Sequence, residues 1–162
     1  MKHAAAFAAS LAVLPLSAGA AAAQTAVPPA GVMTLYAGNS HGANFLIDDT
    51  IVRSGAQVRV SNFRVYAEPI EAPNGPVTMD VQALTLDCDA RRITVESIDT
   101  FKASGEHAFH MPAEPAEAIE ANTTWDFAAR VLCDGVELPP TQKRTGWQAA
   151  REVALFMIAR AS

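Results

Sequence analysis

The sequence predicts an α+β fold: a twisted antiparallel β-sheet packed by a disulfide-linked helix, with a second helix at the C-terminus. Three observations predict it. Between Val32 and Phe101, short apolar segments alternate at period two and are separated by turn-rich stretches. Helical spacing of apolar residues first appears late, at Trp125, Ala128, Ala129, Leu132 and Cys133. One of the two cysteines, Cys88, ends a strand pattern, and the other, Cys133, lies on the apolar face of that helix.

The chain has 162 residues, of which 50% are hydrophobic and 18% charged. That composition excludes collagen-like and disordered classes and suits one domain. The hydrophobic fraction is inflated by the first 23 residues, which read as a secretory signal. Met1-Lys2-His3 gives a basic start, Ala4 to Leu16 an apolar run, and Ala21-Ala22-Ala23 a small-residue site for cleavage between Ala23 and Gln24. The run is too short for a stable bilayer anchor, so no integral membrane span is expected after cleavage. A buried Ala-rich helix is the alternative, and Pro15 and Gly19 weaken it.

The formal net charge is −5, and removal of Lys2 makes the mature chain more acidic. A nucleic-acid partner is therefore not expected, because phosphates call for clustered Lys and Arg. Arg91-Arg92 and Lys143-Arg144 are the only adjacent basic pairs and read as solvated turns. Export into an oxidising compartment predicts a Cys88–Cys133 disulfide. Closing a loop of that length stabilises by about 4 kcal/mol in the chain-entropy model. A zinc cage built on these two thiols lacks neighbouring Cys or His ligands.

The elements follow in order. Residues 24–31, with Pro28-Pro29, are expected to be a flexible leader. The domain proper is expected over 32–135. Val32 to Ala37 and Asn44 to Ile47 are short strands around the Gly38-Asn39-Ser40-His41-Gly42 loop. Thr50 to Arg53 and a Ser54-Gly55 turn lead into the clearest strand, Gln57 to Glu68. There Val58 and Val60 share one parity, whereas Phe63 and Val65 share the other. Such a change needs an extra residue or a switch of buried face, so Ser61-Asn62 is a candidate bulge or bend. Met79 and Val81 against Leu84, Leu86 and Cys88 place a second one near Gln82-Ala83.

Asp89 to Arg91 connects tightly to a strand over Arg92 to Phe101. Pro69 to Pro76 reads as an exposed loop, and Gly105 to Ala121, with Pro112, Pro115 and four Glu, as a solvated and mobile one. Thr123 caps a helix, with Asp126 at the capping-box position and Gly135 ending it. Residues 136–162 are expected to be a linker and a C-terminal apolar helix from about Gly146 to Ala161. Trp147, Ala150, Ala154, Met157 and Ile158 form its packing stripe. The unbroken apolar run from Val153 to Ala159 is wider than one packed face needs, so the surplus serves either the core or a partner surface.

Candidate chemistry is sparse. Ser40-His41 has no spacing that defines a catalytic pair. His107-Ala108-Phe109-His110 could reach one metal, yet it is expected in a Gly- and Pro-flanked loop and lacks the Glu of a hydrolytic zinc site. Asp48-Asp49 reads as a turn or as a cap on the approach to Ile51. No phosphate-cradling glycine pattern occurs, so no cofactor is expected, and neither catalytic nor metal residues are assigned.

The order of the blocks resembles the surface-adhesin protein E family, small exported bacterial proteins with two cysteines. The carriers are Leu46-Ile47-Asp48, the run from Thr50 to Val60, Leu86-Asp87-Cys88 with Arg91-Arg92, and Ala128-Ala129-Arg130-Val131-Leu132-Cys133. They resemble the family's aspartate, its arginine-glycine turn and arginine-bearing strand, its Asp-Cys strand end and its closing helix. The likeness spans roughly Val32 to Gly135. It implies a twisted antiparallel sheet packed by a helix and, in the namesake members, binding of host extracellular proteins, in some cases as a dimer. It assigns no binding residue to a position of this chain. With no cysteine at the cleavage point, the expected product is periplasmic or secreted and not a lipoprotein. The reading is an exported non-enzymatic protein-binding module, with a host matrix protein or an envelope component as partner and a homodimer possible in principle. The alternatives are a periplasmic enzyme or metal-binding protein, and a structural or inhibitory envelope protein.

Overall fold

The computed structural model describes residues 26–161; the expected signal, with Ala23 and Gln24, lies outside the described residues. Nine strands are described: β1 (Val32–Asn39), β2 (Gly42–Ile47), β3 (Val52–Ser54), β4 (Gln57–Ile70), β5 (Val77–Asp87), β6 (Arg92–Phe101), β7 (His107–Met111), β8 (Glu117–Ala118) and β9 (Lys143–Thr145). Two α-helices accompany them, α1 (Thr124–Leu132) and α2 (Trp147–Ala161). The strands form one sheet in the order β7-β6-β5-β4-β2-β1-β9, with β3 beside β4 and β8 beside β6.

The parity changes have one cause. On β4, Val58 and Val60 join a cluster with Leu84, Leu86, Ile93 and the α1 residues Ala128, Ala129 and Leu132. Phe63 and Val65 join a second cluster with Phe45, Met79, Phe101 and the α2 residues Ala150 and Ala154. The register of β4 on β5 runs without a break from Gln57↔Asp87 to Val65↔Met79. Ser61-Asn62 is therefore not a bulge; the strand stays regular and its buried face switches. Because a regular strand alternates, two helices on opposite faces and at opposite ends of the strands require this pattern. Near Gln82-Ala83 a bulge does occur, on the partner strand: Ala83 pairs Ser97 and Leu84 pairs Val95, leaving Glu96 as the extra residue.

Both helices follow from local chemistry. Thr123 Oγ1 accepts from the backbone N–H of Asp126, and Asp126 Oδ2 accepts from Asn122 N–H, so two otherwise orphaned donors are satisfied at the start of α1. At its end the Val136 N–H donates to the Arg130 carbonyl across Gly135, whose φ is 72°. This left-handed glycine closes the helix. Cys88 and Cys133 are joined, with Cα atoms 5.4 Å apart, which fastens the end of α1 to the sheet. Arg53 also donates to the Leu132 carbonyl from β3. On α2 the small residues Ala150 and Ala154 are fully buried and allow close approach to β1 and β2. Leu155 and Phe156 face outward, the latter 61% exposed.

Three segments carry more structure than their composition indicates. Gly105 to Ala121 contains β7 and β8, both paired with β6. Lys143–Thr145, placed in the expected linker, forms β9 on the edge of β1. The Pro29 and Gly31 carbonyls accept from Trp147 and Gly146, so the stretch expected as a loose leader is tied to the start of α2. Backbone groups of otherwise polar segments found partners here, which hydrophobic periodicity does not register.

Candidate functional site

Each sheet face is apolar under its helix and polar beyond it. On the α1 face, the residues that continue the parity of Val58 and Val60 are Asn62, Arg64 and Tyr66 on β4. Opposite them on β5 stand Gln82 and Asp80. Asn62 and Asp80 are fully buried and Gln82 nearly so. Buried polar groups are costly unless hydrogen-bonded, and these form two linked sets.

In the first set, the Tyr36 hydroxyl donates to Asn62 Oδ1 at 3.1 Å, and Asn62 Nδ2 donates to Gln82 Oε1 at 2.9 Å and to Asn44 Oδ1 at 3.4 Å. Burial pushes the Tyr36 phenol well above its ordinary value, so it stays a neutral donor. In the second set, Arg64 Nε and Nη2 lie 3.0 and 2.5 Å from Asp80 Oδ2, which also accepts from the Tyr66 hydroxyl. Burial raises the Asp80 carboxyl above the usual carboxylate range against the opposing pull of Arg64 and Tyr66. Burial pulls the Arg64 guanidinium down, and Asp80 and Tyr66 together more than offset it. The Asp80 Oδ1 atom is buried with no partner, and so is Thr78 Oγ1, two residues away on the same strand.

Above this polar half sits the N-terminal turn of α1. Between them open two cavities of about 280 Å³ each that share Asn44 and Thr124. The first reaches Tyr36, Asn39, Asn122 and Phe127; the second is bounded by Arg64, Thr123 and Trp125. A tight β1–β2 turn positions the near wall. Gly42 is required there, since a Cβ at that position would stand 2.6 Å from the Val65 carbonyl oxygen. Asn39 Oδ1 accepts from the N–H groups of His41 and Gly42 and so fixes the turn.

The sequence candidates fall elsewhere. His41 is exposed on that turn, and its backbone N–H donates to Asn39 Oδ1. Asp48 bridges β1 and β9, accepting from Thr34 Oγ1 at 2.7 Å and from Lys143 Nζ at 2.8 Å. His107 and His110 are brought together by the register shift on β7, next to Asp99 on β6. His107 Nε2 and His110 Nδ1 each lie 3.0 Å from Asp99 Oδ1. Both rings thus spend a nitrogen on one oxygen atom at hydrogen-bond distance. Among the described residues no group of three His, Cys, Asp or Glu is arranged to hold a metal ion.

The cleft residues Asn44, Arg64, Asn122 and Thr124 went unnoticed in the sequence. A signal for the backing row did exist: Asn62, Arg64, Asp80 and Gln82 occupy parities where the alternation set by Val58 and Leu84 calls for apolar side chains. Asn122 and Thr124 reach the site only through the packing of α1.

These features define a small disulfide-fastened antiparallel sheet domain with an amide- and hydroxyl-lined cleft at a helix N-terminus. The family model of surface-adhesin protein E matches residues 33–134. The chain belongs to that family. A search of curated proteins returns no match. Among the described residues no helix is long and apolar enough to cross a membrane.

Proposed function

We propose that this protein is an exported, non-enzymatic protein-binding module of the bacterial cell envelope. Family membership over residues 33–134 is the observation that carries the reading. The partner is a host matrix protein or another envelope component, and association of two copies is a form of the same reading. Release as a periplasmic or secreted product, cleaved between Ala23 and Gln24, accompanies it.

The fold supports binding in physical terms. A rigid sheet backed by two helices holds loop and helix-end groups in fixed positions, which lowers the ordering cost of association. The test immobilises the purified protein and compares purified host matrix proteins with bacterial envelope extracts. Saturable capture of a defined protein supports the module. Absence of saturable capture from either source contradicts it. N-terminal sequencing of the exported product reads the cleavage site, and light scattering reads the oligomeric state.

A further inference from the structure

We propose that the cleft between the β1–β2 turn and the N-terminal turn of α1 binds an uncharged, hydroxyl-rich ring: a hexose unit of a glycan. The inference deepens the binding reading above by naming the chemistry that a partner presents at this cleft.

Charge comes first. Among the described residues Arg64 is the one charged side chain lining the two cavities, and its guanidinium lies 2.5 Å from the wholly buried Asp80 carboxylate. The pair leaves the walls with no net charge to select an anion or a cation. Amides and hydroxyls supply the remaining polarity, from Asn39, Asn44, Asn122 and Thr124. A sugar hydroxyl both donates and accepts, and a wall that mixes amide and hydroxyl groups answers it at every position.

Two of those amides are already oriented. The Asn39 oxygen is occupied by two backbone N–H groups, and the Asn44 oxygen faces Asn62 Nδ2. Each therefore has its Nδ2 group left over as a donor. From beneath, Asn62, itself bonded to Gln82, holds Asn44, and Asp80 holds Arg64. Apolar residues could fill that half of the sheet at lower desolvation cost, as they do under α1. Hydrogen-bonded polar side chains of this sort orient the groups that stand on them.

The rim supplies a flat apolar surface. Phe127 lines the first cavity and is 42% exposed, with the Arg130 guanidinium 5.4 Å from its ring centroid, and Trp125, half-buried against the core under α1, bounds the second. Aromatic faces take the C–H face of a pyranose, while the amides take its hydroxyl edge. Each cavity, at about 280 Å³, falls just below the usual range of small-molecule sites and suits one ring rather than a large cofactor.

The experiment titrates the full purified protein by NMR with methyl β-D-galactoside, methyl α-D-mannoside and N-acetylglucosamine. A printed array of neutral, sialylated and sulfated glycans runs beside it. The expected result is saturable binding to at least one uncharged glycan, weakened at least tenfold by Asn44→Ala and by Phe127→Ala. Phe127 is exposed, so its variant tests the cleft even where Asn44→Ala disturbs the sheet; Phe156→Ala on α2 leaves binding unchanged. No saturable binding to any uncharged glycan, binding confined to sialylated or sulfated glycans, or binding indifferent to both cleft variants overturns the proposal. Enzymatically deglycosylated matrix protein separates this inference from the reading beneath it. If deglycosylated protein is still captured and no glycan binds, the cleft assignment fails and the protein-binding module stands.

Discussion

Val60 and Phe63 stand three residues apart on one unbroken strand and are buried on opposite faces of the sheet, Val60 beneath α1 and Phe63 beneath α2. The consequence is two cores separated by the thickness of a sheet. Phe63→Ala should destabilise by about 3–5 kcal/mol and Leu84→Ala by about 2–5 kcal/mol, the range for large-to-small core changes. Because the two side chains share no cluster, the double variant should equal the sum of the singles within about 0.5 kcal/mol. Urea denaturation of the four proteins measures it, and strong coupling would show a single continuous core.

The Cys88–Cys133 bond closes a loop with a sequence separation of 45 at the point where α1 meets the sheet. Reduction should cost about 4 kcal/mol. The loss should appear first as faster amide exchange in α1, while the β4–β5 ladder remains protected. Equal melting temperatures for the reduced and oxidised protein would contradict this.

Asp126 gives the fold a defined acid sensitivity. The Asn122 backbone N–H, with Arg130 and Arg91 adding to it, holds its carboxyl below the usual carboxylate range. A depressed carboxyl contributes stability above its unfolded-state value, and that stability is lost as pH falls through its folded value. The stability of the native protein should therefore decline below about pH 4, and Asp126→Asn should show a shallower decline over the same window. Parallel thermal melts from pH 2 to pH 7 compare them.

Gly42 packs its α-carbon against the β4 backbone, with no room for a side chain. Gly42→Ala should destabilise by about 1–3 kcal/mol through forced backbone displacement. Gly55, around which a Cβ meets nothing within 4 Å but whose φ is 59°, should respond through backbone strain alone. Denaturation midpoints of the two variants distinguish crowding from strain.

The sequence showed the elements that repeat a pattern and missed those that depend on distant partners. Alternation located β4 and β5, and the parity switch at Ser61-Asn62 was visible before its cause was. The Thr123 cap and Gly135 stop marked α1, because capping is a local event. By contrast β7 and β8 lie among prolines and glutamates, and their pairing with β6 supplies what their composition does not. The cleft is harder still. Asn44, Arg64 and Thr124 come from three elements far apart in the chain; Arg64 stands out only by its place on the apolar parity of β4, and nothing in the local sequence of Asn44 or Thr124 distinguishes them from solvated polar residues.

The most direct test of the account is surface plasmon resonance of the purified oxidised protein over immobilised extracellular matrix proteins and immobilised bacterial envelope proteins. The account predicts a saturable response to at least one of them, weakened by Phe127→Ala at the cleft and unchanged by Phe156→Ala on α2. A response that stays linear with concentration for every matrix and envelope protein, or that falls with Phe156→Ala and ignores Phe127→Ala, would contradict it.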